Sequence, residues 1–493
     1  MINNTSNNNG EIQITDERCN LIVISDLHLG EGFKQEIYKY SIRENFFYDE
    51  EFADFLQYLR EKALESGQRW KLIINGDLFD FPRVVTIPQG KELEQWYESL
   101  KELGRDISDL PARIDKSERK YGLRTVDFKS VWKLMVIYRG HPIFFQALAN
   151  FILEGHRLVI ILGNHDVEFY CPLVQEKFLR LLSQSCTQGN HKSPQEILEE
   201  LRSRVEFCPR AYIIEDSIYL EHGHQYDRLN RVDLHSLKES DSELKMPLGS
   251  FLNRYLLNHI ETMLPFINNI KPVSEVVNFL IKKRTSKALG IIFHYVPLTI
   301  LNLLRYHKYF SLWLFLSLIS YPVAILFFVF TFALPHLFTS YKEILLHTLG
   351  GTGEFLFNNW VLALGIALSL FHIPGIFRFF SIVKGKKYLH QEAQKIVQYR
   401  PGWSGTENGR EKFVIFGHTH LPDIKLVGNH CWSINSGTWV SVYDPELKLI
   451  RDDQKFAFIL FTRNSRGHFN FSLLRWNDDA RQADRLTLID KES

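Results

Sequence analysis

The chain has 493 residues, of which 45% are hydrophobic and 23% charged, and its formal net charge is +1. This balance belongs to a folded protein with a large core, and it argues against a partner gripped through bulk charge, such as polymeric nucleic acid. Five cysteines (Cys19, Cys171, Cys186, Cys208 and Cys431) lack CxxC pairs or regular spacing, which argues against a disulfide framework or zinc ribbon and for thiols in a reducing compartment.

Residues 1–15 are polar, with no basic stretch leading into an apolar one, so a disordered tail and no cleaved secretion signal are expected. Residues 20–25 and 71–75 are short runs rich in β-branched side chains and predict buried strands. Between them, "DEEFADFLQYLREKALESG" sets Phe52, Phe55, Leu56 and Leu59 on one helical face, and Gly67 closes the helix. Residues 81–155 are charged and helical in pattern, with Pro142 at a helix start, and are expected to form a helical cap near a site mouth. "HRLVIILGNHD" (156–166), "SIYLEHGHQYD" (217–227) and "KFVIFGHTH" (412–420) each predict a strand with a polar tip, and alternating runs after them predict a mostly antiparallel sheet. The frame is therefore 16–80, 156–227 and 411–480.

A second insertion, 228–410, separates the last two parts of that frame. It divides into an amphipathic and basic stretch (228–308), an apolar stretch (309–377) and a basic connector (378–410). Tyr309–Tyr341 and Phe355–Phe377 carry no formal charge, and each exceeds the ~20 residues a helix needs to cross a bilayer. They predict a hydrophobic transmembrane hairpin. A shorter apolar segment, 288–304, holds His294, Pro297 and Asn302 and reads as interfacial or re-entrant. The amphipathic 247–270 fits either a membrane interface or a helix packed on the frame.

The polar tips form an ordered series: Asp26-x-His28, Gly76-Asp77, Gly163-Asn164-His165-Asp166, His222-Gly223-His224 and Gly417-His418-x-His420. Each follows a strand-like run, so in an α/β fold they would gather along one edge, where ligand sites form. Carboxylates, imidazoles and an amide oxygen suit Mn, Fe, Zn or Ni. Glycine beside a ligand lets backbone approach closely.

This set resembles the calcineurin-like metallophosphoesterases, whose hallmarks are D-x-H, G-D, G-N-H-[DE], a histidine before glycine, and G-H-x-H. The resemblance covers about 20–80, 156–227 and 411–475 and implies a four-layer α/β/β/α sandwich with a two-metal site. It implies that Asp26, His28 and His420 hold one divalent ion, that Asn164, His222 and His418 hold the other, and that Asp77 bridges them. The ions would be manganese first, with Fe, Zn or Ni as alternatives. Two cations ~3.5–4 Å apart activate a water for in-line attack on phosphorus and neutralise its equatorial oxygens. His165 would act as general acid with Asp166 orienting its ring, and His224 would touch the substrate phosphate or support a ligand. "SDLHLG", "GDLFD", "EHGH" and "GHTHLP" look similar to the UDP-2,3-diacylglucosamine hydrolase branch, which cleaves a pyrophosphate on a lipid precursor. That branch carries arginine where this chain has His165, and its second insertion is far smaller.

If His222 and His418 bind one metal, both flanks of the apolar stretch lie on the same side of a bilayer. Two spans, about 310–334 and 355–377, satisfy this, joined by an outer loop near 335–354. Lys282, Lys283, Arg284, Lys287, Arg305 and Lys308 precede the stretch, and Arg378, Lys384, Lys386 and Lys387 follow it, whereas Lys342 is the only Lys or Arg between the spans. The catalytic part is thus expected to face the cytoplasm, and the basic flanks to bind anionic lipid. The leading expectation is a membrane-tethered phosphohydrolase acting on a diester, pyrophosphate or monoester, plausibly lipid-linked. A nucleotide phosphodiesterase and a non-catalytic metal-binding scaffold or sensor are the alternatives.

Overall fold

The computed structural model describes residues 4–6, 10–14, 19–186, 192–232, 243–262, 387–400 and 411–486 apart from short gaps at 445–448, 451 and 465–466, with single positions at 290, 347 and 403. The chain groups into two units, 1–295 with 385–493 and, separately, 296–384. The expected hydrophobic hairpin at 309–377 lies outside the described residues, as do the rest of the amphipathic stretch beyond 262 and most of the basic connector. No helix among the described residues is long and apolar enough to cross a membrane.

The first unit is an α/β protein built on two seven-stranded mixed sheets. One sheet runs in spatial order Gln482–Arg485, Phe469–Asn477, Ala457–Arg463, Asn20–Ile24, Trp70–Asn75, Arg157–Ile161 and Val205–Cys208. Its last four strands are parallel, and the C-terminal three add antiparallel to the edge of Asn20–Ile24. The other runs Asn4–Ser6, Glu11–Ile14, Ala211–Ile214, Ile218–Glu221, Lys412–Phe416, Cys431–Asn435 and Asp423–Gly428. Here Ile218–Glu221, Lys412–Phe416 and Cys431–Asn435 are mutually parallel, so the chain end is less uniformly antiparallel than its alternation predicts.

Side-chain parity explains the core. Leu21, Val23 and Ile73 from one sheet cluster with Tyr212, Ile218, Leu220, Phe413 and Ile415 from the other, all buried. Their alternates Ile22, Ile24, Leu72 and Ile74 instead pack on helices. The helix Asp49–Ser66 buries Phe52, Phe55, Leu56 and Leu59 there, and Gly67 ends it in the left-handed region at φ 68°. Tyr219, Val414 and Phe416, on the far face of the second sheet, cover Leu389, Ala393 and Val397 of the helix Lys387–Tyr399.

Two expectations change. Residues 11–14, read as tail, form a strand pairing parallel with Ala211–Ile214, because Ile12 and Ile14 alternate toward the core inside an otherwise polar stretch. The 81–155 insertion is helical as predicted, over Lys91–Glu102, Lys116–Tyr121, Asp127–Gly140 and Pro142–Leu153. Much of it also serves as a packing layer: Trp96, Trp132 and Phe144 are buried in the same cluster as the sheet residues. Residues 248–262 also pack as ordinary protein. Arg254 and Asn258 are buried and donate to the carbonyls of Gly122 and Pro82, and Glu261 accepts from Arg83 at 2.6 Å.

Candidate metal centre

The five tips lie at the C-terminal ends of strands that run parallel to a neighbour: Asn20–Ile24, Trp70–Asn75 and Arg157–Ile161 in one sheet, Ile218–Glu221 and Lys412–Phe416 in the other. Three sets of side chains gather there with ligand atoms within 4.8 Å of one another: Asp26, His28 and His420; Asp77, His222 and His418; and His28, Asp77 and His165. Asp77 and His28 thus connect the two ligand groups expected from sequence.

Backbone conformation marks the same residues independently. Asp26, His28, Asp77, His418 and His420 all have positive φ, between 53° and 67°. This region is uncommon for non-glycine residues, and such strain concentrates at functional sites. The neighbouring glycines give way to ligands. At Gly76, with φ 87°, a Cβ would come 2.3 Å from His222 Nδ1, and at Gly163 one would come 2.0 Å from Asp77 Oδ1.

Four of the ligand candidates, Asp26, His28, Asn164 and His222, each keep one buried polar atom without a hydrogen-bond partner. Asp26 Oδ2 accepts from Ser25 Oγ at 2.6 Å and from the His418 backbone N–H at 3.0 Å, while its Oδ1 has no hydrogen bond. His222 Nδ1 donates to the Asn75 carbonyl at 2.7 Å, which leaves Nε2 bare and 3.2 Å from Asp77 Oδ2. His28 Nε2 and His420 Nε2 face each other at 3.0 Å, and Asp26 Oδ1 lies 3.7 and 3.3 Å from them. Asn164 Oδ1 is buried without a partner. Asp77 Oδ1 accepts the His165 backbone N–H at 2.9 Å, and Oδ2 is 3.7 Å from His28 Nε2.

The electrostatics ask for positive charge. Burial opposes a charged His28, yet Asp26, Asp80 and Asp77 outweigh it and push the imidazole up to about 10. His222 is likewise raised to about 9 against burial by Asp77 and Asp26. His224, buried and close to both His222 and His418, is held well below the usual histidine range, first by burial and then by those neighbours. Bare imidazole nitrogens, a bare carboxylate oxygen and an orphaned amide oxygen converging in a buried acidic site fit divalent cations.

Asp166 does not orient His165. Its carboxylate accepts from the Leu78 and Gly163 backbone N–H groups at 2.8 and 2.6 Å, and burial, with the Asp77 carboxylate nearby, raises it to about 7. The ring of His165 instead donates from Nδ1 to Asp80 Oδ1 at 2.9 Å. The cause is directional: Asp166 turns away from the ring to accept from Gly163 of its own loop and from Leu78 of the adjoining tip, while Asp80, on that same tip, faces the imidazole. His165 is the more open of the pair, with 18% of its side chain exposed against 2% for Asp80. Asp80 also lies 3.5 Å from His28 Nδ1.

A second supporting carboxylate is Asp227, whose Oδ2 lies 3.1 Å from His418 Nε2 and also accepts from Asn230 Nδ2 at 2.7 Å. It leaves Nδ1 as the His418 nitrogen for a metal. Burial would raise Asp227, but the His418 contact brings it down to about 2. Neither Asp80 nor Asp227 was singled out from sequence. The available signal was a carboxylate three residues after Asp77 in "GDLFD" and five after His222 in "HGHQYD". Comparison with protein-family models and with curated proteins returns no match. Fold and site together define an α/β protein with a buried Asp/His metal-site candidate.

Proposed function

We propose that this protein is a two-metal-dependent phosphohydrolase of the calcineurin-like type, tethered to a membrane by its apolar stretch, with its catalytic unit facing the cytoplasm. The observation that carries the proposal is Asp77 Oδ2, which lies 3.2 Å from His222 Nε2 and 3.7 Å from His28 Nε2 and so stands between two ligand groups. The three clusters of buried side chains read as an α/β/β/α sandwich, with the ligand set at one edge. Asp26, His28 and His420 would hold one divalent ion and Asn164, His222 and His418 the other, with Asp77 shared; manganese is the first choice. Divalent ions held there would supply Lewis acidity and activate a water.

The chain's own residues do the rest. Asp80 fixes the His165 ring so that Nε2 faces away from the carboxylate, and that nitrogen carries the proton to the leaving oxygen. The substrate is a phosphodiester, pyrophosphate or monoester, and a lipid-linked one fits the tether.

The test is hydrolysis of bis-p-nitrophenyl phosphate and, in parallel, p-nitrophenyl phosphate by full-length protein in detergent with Mn²⁺, alongside Asp77→Asn. Turnover that depends on metal and disappears in the variant supports the proposal. Metal-replete protein inert toward both compounds and toward lipid and nucleotide phosphoesters would overturn it.

A further inference from the structure

Directly after the Asp26-x-His28 tip the chain forms a small hairpin, Phe33–Lys34 paired with Lys39–Tyr40 through a turn at Gln35–Ile37. It departs from the usual rule for exposed loops. Of nine large hydrophobic side chains exposed among the described residues, four fall here: Ile37, Tyr38, Tyr40 and Ile42. Tyr38 is 84% exposed and is held at φ 50°, a conformation that costs an aromatic residue.

The base is built to carry this display. Phe33 packs edge-on against Tyr40, and Tyr40 against Phe47. Arg43 donates from Nε to the Asn258 carbonyl at 3.1 Å, which joins the hairpin's root to the segment leading into the apolar stretch. Lys34 answers the buried Glu31 at 2.8 Å, and Lys39 is left exposed beside Tyr38.

We infer that this hairpin is an interfacial contact with a lipid bilayer, into which Ile37 and Tyr38 dip while Lys39 meets anionic headgroups. Exposed tyrosine and isoleucine beside lysine, with Glu36 the one acid in the turn, is the chemistry of a membrane interface rather than of a polar protein surface. The occupant follows from the rest of the chain, whose two uncharged runs are each long enough to span a bilayer. The inference rests on the tether reading above. It adds that the metal-bearing edge itself touches lipid, which would let a lipid-linked phosphate reach the site without leaving the surface.

The test replaces Tyr38 with the photoreactive p-benzoylphenylalanine in the full-length protein, reconstituted with phosphatidylcholine vesicles with or without phosphatidylglycerol. The same replacement at Leu64, 85% exposed on another element, is the control. Illumination should cross-link position 38 to lipid several-fold more than position 64, with more product when phosphatidylglycerol is present and less at high salt. Protein that floats with vesicles but shows equal lipid cross-linking at the two positions, or cross-links from position 38 to a second protein copy, would overturn the hairpin inference and leave the tether intact. Failure to float with vesicles would overturn both. No turnover is needed for either readout, so failed hydrolysis cannot be mistaken for failed lipid contact.

Discussion

Asp80 Oδ1 lies 2.9 Å from His165 Nδ1, and the carboxylate that steadies this histidine comes from a neighbouring strand tip rather than from the residue beside it in sequence. Burial would raise Asp80, but His165 and His28 hold it well below the usual carboxylate range. It is therefore an anion throughout the physiological range and a positioning residue for the proposed acid. His165→Ala should cut kcat on alkyl phosphoesters by on the order of 10²-fold, and far less on p-nitrophenyl esters, whose leaving group needs no proton. Asp80→Asn should follow the same leaving-group pattern. Equal losses on both ester types would remove His165 from the acid role.

Asp227 supports the opposite side of the site. Asp227→Asn leaves the ring of His418 without its anionic partner and should weaken metal binding by roughly 10–100-fold. Titration calorimetry with Mn²⁺ should show the change confined to one of two binding events. Unchanged affinity in both would mean that the 3.1 Å contact does nothing for the metal.

Glycine at 163 is a steric requirement. A Cβ there meets the Asp77 side chain at 2.0 Å and its backbone nitrogen at 2.5 Å. Gly163→Ala should therefore abolish metal binding even where circular dichroism shows an intact fold. Gly67→Ala is the useful contrast. Its Cβ would meet nothing within 4 Å, so strain at φ 68° should cost only stability.

A pH effect independent of the metals comes from His141, buried between Asp49 at 2.9 Å and Glu44 at 3.5 Å. Burial would lower this imidazole, but the Glu44 and Asp49 carboxylates overcome it and push it up to about 10. The folded value is raised, so the stabilisation is complete below the unfolded value of about 6.5 and is lost as pH rises through about 10. His141→Ala removes the cation shared by two buried carboxylates, which keep only backbone N–H donors, and should cost on the order of 3 kcal/mol. The deficit relative to wild type in urea unfolding should be largest near pH 6 and shrink steadily toward pH 10.

The elements legible in the sequence were those in which one signal dominates. The helix over 49–66 combined a 3.6-residue period with a closing glycine, and the five polar tips each followed a β-branched run. The Glu11–Ile14 strand escaped because two isoleucines in a polar stretch are a weak signal until a partner strand from residues 211–214 supplies the hydrogen bonds. The packing role of Trp96 and Trp132 escaped because period alone does not say which surface a helix covers. Adjacency in sequence points to Asp166 and passes over Asp80. Only the direction in which each loop turns, set by contacts across different strands, decides which one meets His165.

Ile218–Glu221 and Lys412–Phe416 lie side by side although the whole apolar stretch intervenes between them. A ribosome releases the chain in one direction, so His418 and His420 emerge last of the proposed ligands. By then every residue of 309–377 has already left the exit tunnel. The nascent chain therefore holds only an incomplete site while its apolar part is finding its destination. On the proposed function, chemistry would begin only after location is decided.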